Sequence, residues 1–157
     1  MNARMKLYDT RALSEGEVTL GRFVFANEIP WPRVRIVQGP KLGFGAMVPL
    51  GRTIVFSKWR AARDFASAGV EEQGWLVHEL MHVWQAEQGT ALAFAKLGAL
   101  GARAYDYKPR VNAKLGDYNI ERQAEIARHL FLARVDEPEE FQPAREWLEA
   151  VWETRAL

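Results

Sequence analysis

The chain has 157 residues, the size of one domain with one hydrophobic core, and residues 1–157 are read as a single unit. Hydrophobic residues make up 48% and charged residues 26%, which excludes the disordered and collagen-like classes. The 21 Lys+Arg against 20 Asp+Glu leave a formal charge of +1, too little for a bulk pull toward nucleic acid or an anionic membrane, and Cys 0 excludes disulfides, thiolate nucleophiles and cysteine-built metal sites, so that any metal would rest on histidine and carboxylate.

The opening residues 1–17 are basic but hold no apolar run long enough for a signal-peptide core, so synthesis in the cytoplasm is expected, with export by a signal-independent machine left open. Ser14 followed by Glu17 has the spacing of a capping box, and Val18, Leu20, Val24 and Phe25 recur at helical intervals, which predicts a helix from about Glu15 to Ala26. Pro32 interrupts, after which Val34, Ile36 and Gln38 alternate with Arg35 and Val37 as a half-buried strand does. Gly39 and Pro40 end it. Ala46 to Val48 and Thr53 to Phe56 flank Pro49, Leu50, Gly51 and Arg52 as two arms of a hairpin. A small antiparallel sheet is therefore expected in the front third.

From Glu71 the period becomes helical, with Leu76, Val77, Leu80, Met81, Val83 and Trp84 giving an apolar surface that reaches about Gln88. Residues 91–103, rich in Ala, Leu and Gly, suggest a further helix, although Gly98 and Gly101 weaken it. The longest weakly polar stretch, 89–104, is broken by Lys96 and Arg103 and is too short to cross a bilayer. Asp117 or Asn119 can cap a helix from Ile120 to about Leu132, and Pro143 can start a last one through Trp147, Val151 and Trp152. The expected class is α+β, a small sheet followed by a helical part.

The central helix contains His78-Glu79-Leu80-Met81-His82, an HExxH arrangement. Histidines four apart lie one turn apart on one face, so both imidazoles can reach one cation, while Glu79 sits about 100° further round and can address a metal-held water. With 3 His and 15 Glu in the chain, this pattern arises by accident roughly 0.005 times per chain of this length. Its other reading is a pair of buried histidines satisfied by backbone or carboxylate. Two imidazoles, a carboxylate and an open fourth position suit zinc, Zn2+, above other metals.

No histidine follows at the spacing of an extended HExxHxxGxxH motif, since Gln85 and Gln88 stand there, so a third ligand must come from elsewhere. Asn119-Ile120-Glu121-Arg122-Gln123-Ala124-Glu125 offers two carboxylates one turn apart. Glu121 is assigned to the metal and Glu125 to the outer N–H of a ligating histidine, fixing its tautomer. Without the need for a third ligand the pair reads as a solvated helix face. His129 is a candidate alternative ligand or transition-state donor, or simply a histidine favoured by a helix C-terminus. Tyr105, Tyr107 and Tyr118 are candidate hydrogen-bond donors to a developing oxyanion, each also readable as packing.

HELMH at 78–82 and ERQAE at 121–125 resemble the zincin metallopeptidases, specifically the gluzincin branch, in which a glutamate from a later helix completes the metal site. The whole chain is similar to short bacterial proteins called Vgr-related, of type VI and other contractile injection systems, through SEGEVTLGRFVF, HELMHVWQ, AYDY and YNIERQAEIARH. The resemblance implies a zincin-like fold with the HExxH helix at its centre and the edge strand Thr53 to Phe56 lining the cleft. It further implies zinc on His78, His82 and Glu121, and Glu79 as catalytic base. Glu125 departs from the pattern, where gluzincins usually carry Asp.

The expected function is zinc-dependent peptide-bond hydrolysis on a peptide or protein substrate, with Glu79 as general base. The rival from another class is a zinc-stabilised interaction module that docks on a secretion apparatus and cleaves nothing; a toxin acting in a target cell lies between them. Nucleic-acid binding has only the Arg33 and Arg35 strand behind it, which reads more simply as a solvated face.

Overall fold

A computed structural model describes residues 3–49, 51–92 and 105–156. Strand β1 is Thr10–Ala12. Helix α1, Glu15–Phe25, begins where expected because Ser14 accepts from the Glu17 backbone while the Glu17 side chain accepts from the Ser14 backbone. Strands β2 (Arg35–Gln38), β3 (Ala46–Met47) and β4 (Thr53–Phe56) follow. Then come helices α2 (Val70–Glu87), α3 (Ile120–Arg134) and α4 (Arg145–Glu153). The 91–103 helix of the sequence reading lies, from residue 93 on, outside the described residues.

The strands form one sheet in the order β1-β2-β4-β3. The hairpin is present, with Ala46 opposite Phe56 and Met47 opposite Val55, and Gly51 between the two arms takes φ 73. The expectation of an antiparallel sheet is corrected, because β2 and β4 run parallel with Arg35 opposite Thr53 and Gln38 opposite Phe56. The chain between β2 and β3 passes beyond the position β4 will take, so β4 enters between its two predecessors. Thr53–Phe56 is consequently an interior strand, not the edge strand expected, and β1 and β3 form the edges.

Gln38 anchors this crossing. Its buried amide donates to the carbonyls of Gly39, Phe56 and Ser57 at 2.9, 3.2 and 2.8 Å and accepts from the Ala61 backbone at 3.0 Å. Strand ends that have left the ladder thereby keep their hydrogen bonds, as buried polar groups must.

Helix α2 runs through the middle of the molecule: every residue from Leu76 to Gln85 is buried, on all faces of the helix. It stops at Gly89, which takes φ 88. Helix α3, capped by the Asn119 side chain on the Arg122 backbone, packs along it and buries Ala124, Ala127, Leu130 and Phe131. At Gly74 the side chains of Arg128 and Leu132 from α3 lie in van der Waals reach, at 3.4 and 3.5 Å from where a Cβ would stand. Helix α4 is amphipathic and inserts Leu148, Val151 and Trp152. Its start at Arg145 lies just beyond the predicted Pro143. The HExxH segment is thus buried, with His78 and His82 facing the first turn of α3.

Candidate metal centre

Two packed helices bring the site together. His78 and His82 project from one face of α2, and Glu121, in the first turn of α3, faces them. Glu121 Oε2 lies 3.3 Å from Nε2 of His78 and 3.3 Å from Nε2 of His82. One donor atom from each residue fits within a 4.8 Å spread, and all three residues are buried. A tetrahedral ion with bonds of 2.0–2.2 Å holds its ligand atoms about 3.3 Å apart, which the two separations to Glu121 match, and imidazole and carboxylate are donors of the kind zinc takes.

The outer nitrogen of each ring is also engaged. His78 Nδ1 donates to Glu125 Oε1 at 2.8 Å, and a carboxylate can only accept. In the neutral ring, Nε2 of His78 therefore turns a lone pair toward Glu121, and two lone pairs at that distance repel unless a cation or proton lies between them. The charges reflect this. Burial disfavours a charged His78 ring, but hydrogen bonds to Glu121 and Glu125 outweigh burial and lift it to about 9. Burial likewise raises Glu121, while bonds from His78 and His82 hold it far below the usual carboxylate range. A divalent cation can take the place of that proton.

On the other histidine, Nδ1 of His82 lies 2.8 Å from Gln85 Oε1, and Gln85 Nε2 donates to the Ile120 carbonyl and to Gln123 Oε1, both at 3.0 Å. Sequence reasoning passed over Gln85 as a vacant ligand position. Its signal was a polar side chain three residues after His82 in a stretch otherwise apolar.

Glu79 is buried beside the cluster, and its Oε2 has no hydrogen-bond partner among the described residues. An unsatisfied buried oxygen costs about 1–3 kcal/mol, more when charged.

The remaining candidates lie as follows. Tyr107 and His129 meet each other at 2.5 Å through the hydroxyl and Nδ1, and Nε2 of His129 faces Glu139 at 3.4 Å and Glu125 at 3.8 Å. Burial pushes the Tyr107 hydroxyl far up and the His129 ring down. The Tyr118 hydroxyl donates to the Lys108 carbonyl at 2.9 Å. Tyr105 is the tyrosine beside the donors, its ring 5.8 Å from that of His78 and 47% exposed.

A cleft of about 540 Å³ opens at Glu125, with Lys58, Trp59, Arg60 and Trp75 on its walls. The segment immediately after β4, rather than an edge strand, therefore lines this cleft, which meets the cluster only through Glu125, the partner of His78.

Fold and site together define a small α+β domain that presents two histidines and a glutamate to one point between packed helices. No protein-family model matches the chain. It is 33% identical over 134 residues to the type VI secretion system spike protein VgrG2b of Pseudomonas aeruginosa, an alignment covering 79% of this chain and 13% of that protein. The solved effector domain of Pseudomonas aeruginosa VgrG2b superimposes with a TM-score of 0.71 at 27% identity, over 92% of this chain and 82% of that one. The chain is homologous to that effector domain and spans a small part of the whole spike protein.

Proposed function

We propose that this chain is a zinc-dependent peptidase domain of the gluzincin type, acting in a type VI secretion setting. The observation that carries the reading is the Glu79 oxygen, buried and unpaired next to a cluster of donors spaced for one tetrahedral ion. A structural histidine pair has no use for such a carboxylate; hydrolysis does.

His78, His82 and Glu121 would hold the ion. When bound, zinc supplies a Lewis acid that polarises a peptide carbonyl and acidifies water to a pKa of about 7. Glu79 takes the proton from the attacking water and gives it to the amine nitrogen as the C–N bond breaks. Glu125 keeps the hydrogen on Nδ1 of His78, leaving Nε2 free to bind. Tyr105, half exposed beside His78, offers its hydroxyl to the developing oxyanion. The substrate enters along the cleft that ends at Glu125.

Similarity to part of a spike protein, and to a domain named an effector, supports association with the secretion apparatus and export without a signal peptide. That same similarity favours a second reading, a zinc-stabilised interaction module carried by the apparatus. No helix among the described residues is long and apolar enough to cross a membrane.

Mass-spectrometric profiling of a peptide library separates the two readings. The peptidase reading expects cleavage by zinc-loaded wild type and a loss of at least about a hundredfold in Glu79→Gln at equal zinc content. Equal turnover by both, or cleavage by neither, would remove it.

A further inference from the structure

The two histidines are held by unlike partners, and the geometry around His82 settles which of its nitrogens carries hydrogen. The Ile120 carbonyl can only accept, so the amide nitrogen of Gln85 must face it, at 3.0 Å. The same nitrogen lies 3.0 Å from Gln123 Oε1. Gln123 is oriented in turn, because its own nitrogen donates to the Tyr118 carbonyl at 2.8 Å. With its nitrogen committed twice, Gln85 turns its oxygen to Nδ1 of His82 at 2.8 Å. An amide oxygen only accepts, so Nδ1 carries hydrogen, and in the neutral ring Nε2 is then the nitrogen with a lone pair, 3.3 Å from Glu121. Gln85 is 1% exposed, and its amide is met by protein partners on both sides.

We propose that Gln85 is a positioning residue with two roles: it fixes the metal-binding tautomer of His82, and through the Ile120 carbonyl it ties the first turn of α3, which carries Glu121, to the turn of α2 that carries His82. This rests on the metal-centre reading above. Ile120 directly precedes Glu121, so the Gln85–Ile120 bond sets the gap that an ion must fill. The arrangement is asymmetric. His78 leans on a carboxylate that Arg128 also approaches, at 3.6 Å, whereas His82 leans on a neutral amide that adds no negative charge beside the ion.

The test uses the full chain loaded with zinc and labelled with ¹⁵N-histidine. Long-range ¹H–¹⁵N correlation in wild type is expected to show His82 coordinating through Nε2 with hydrogen on Nδ1. Gln85→Met, similar in volume but without the amide, is expected to weaken zinc 10- to 100-fold in chelator competition and to lose the protected Nδ1–H signal. Gln85→Glu keeps an acceptor for Nδ1 while losing the donor to Ile120, so it should retain the Nδ1–H signature with an affinity between the other two. If Gln85→Met fails to fold, as read by circular dichroism without metal, the wild-type tautomer and Gln85→Glu still decide. Coordination through Nδ1 of His82, or zinc affinity in Gln85→Met equal to wild type, would overturn the role of Gln85 alone. A wild type that binds no zinc would instead remove the metal centre and this inference with it.

Discussion

Nδ1 of His78 donates to Glu125 Oε1 at 2.8 Å, so Glu125 faces the outer nitrogen of a ring whose inner nitrogen faces Glu121. A residue so placed affects a metal by orienting its ligand. Glu125→Ala should weaken zinc 10- to 100-fold, whereas Glu121→Ala, which removes a donor, should abolish stoichiometric binding. Glu125→Asp, the residue usual in gluzincins, should fall between wild type and Glu125→Ala, since its carboxylate must reach further for the same ring. Competition against a chelator of known strength orders the four proteins. Equal affinity in Glu125→Ala and wild type would refute the orienting role.

A further buried carboxylate, Glu17, lies outside the candidate site. Glu17 is fully buried and accepts both arms of Arg11 at 2.7 Å, the Ser14 backbone at 2.8 Å and the Phe65 backbone at 2.7 Å. It thereby joins β1, α1 and the turn before α2. Arg11→Met alone leaves this charge without its partner and should cost about 3–5 kcal/mol. The double variant Arg11→Met, Glu17→Met should lose less than the sum of the single losses, because no charge is left stranded. Urea unfolding of metal-free protein measures both. Strict additivity would show that the two side chains do not act together.

A pH signature is expected at Glu28. Burial works against its charge, but hydrogen bonds from Arg155 and Trp84 outweigh burial and hold its carboxyl below its ordinary 4.5. The Trp84 indole donates to it at 2.7 Å and Arg155 at 2.6 Å. A carboxyl depressed in the folded state stabilises fully above its unfolded value, and that contribution fades as pH falls through the folded value. Melting temperatures of wild type and Glu28→Gln should therefore differ by a constant amount near neutrality. The gap should narrow as the pH falls below that ordinary value of 4.5. A gap unchanged by acid would mean that the ion pair contributes nothing.

The parts of this molecule legible in its sequence are those set by spacing along one element. His78 and His82 share a face because they lie four apart on a helix, and Ser14 with Glu17 caps α1 through contacts within one turn. Glu121 was named by asking which carboxylates could serve an incomplete ligand set, and helix packing sets it opposite the two histidines. Pairing between distant segments was not legible. β1 is three residues with no apolar alternation, and its partner β2 lies beyond a whole helix. The insertion of β4 beside β2 follows from the path of the intervening loop, which no local pattern encodes. Arg11 reaching Glu17, and Gln85 reaching Ile120, are likewise products of packing, visible beforehand only as polar residues in stretches due to be buried.

The central claim is that His78, His82 and Glu121 close on one divalent ion. Elemental analysis of chain prepared in zinc-supplemented medium without chelators, paired with anomalous diffraction at the zinc edge, tests it most directly. The expected result is one zinc per chain, bound through the three named donors, with Glu79 next to an open position. A metal-free wild type, or an ion seated elsewhere, for instance on His129, would contradict it.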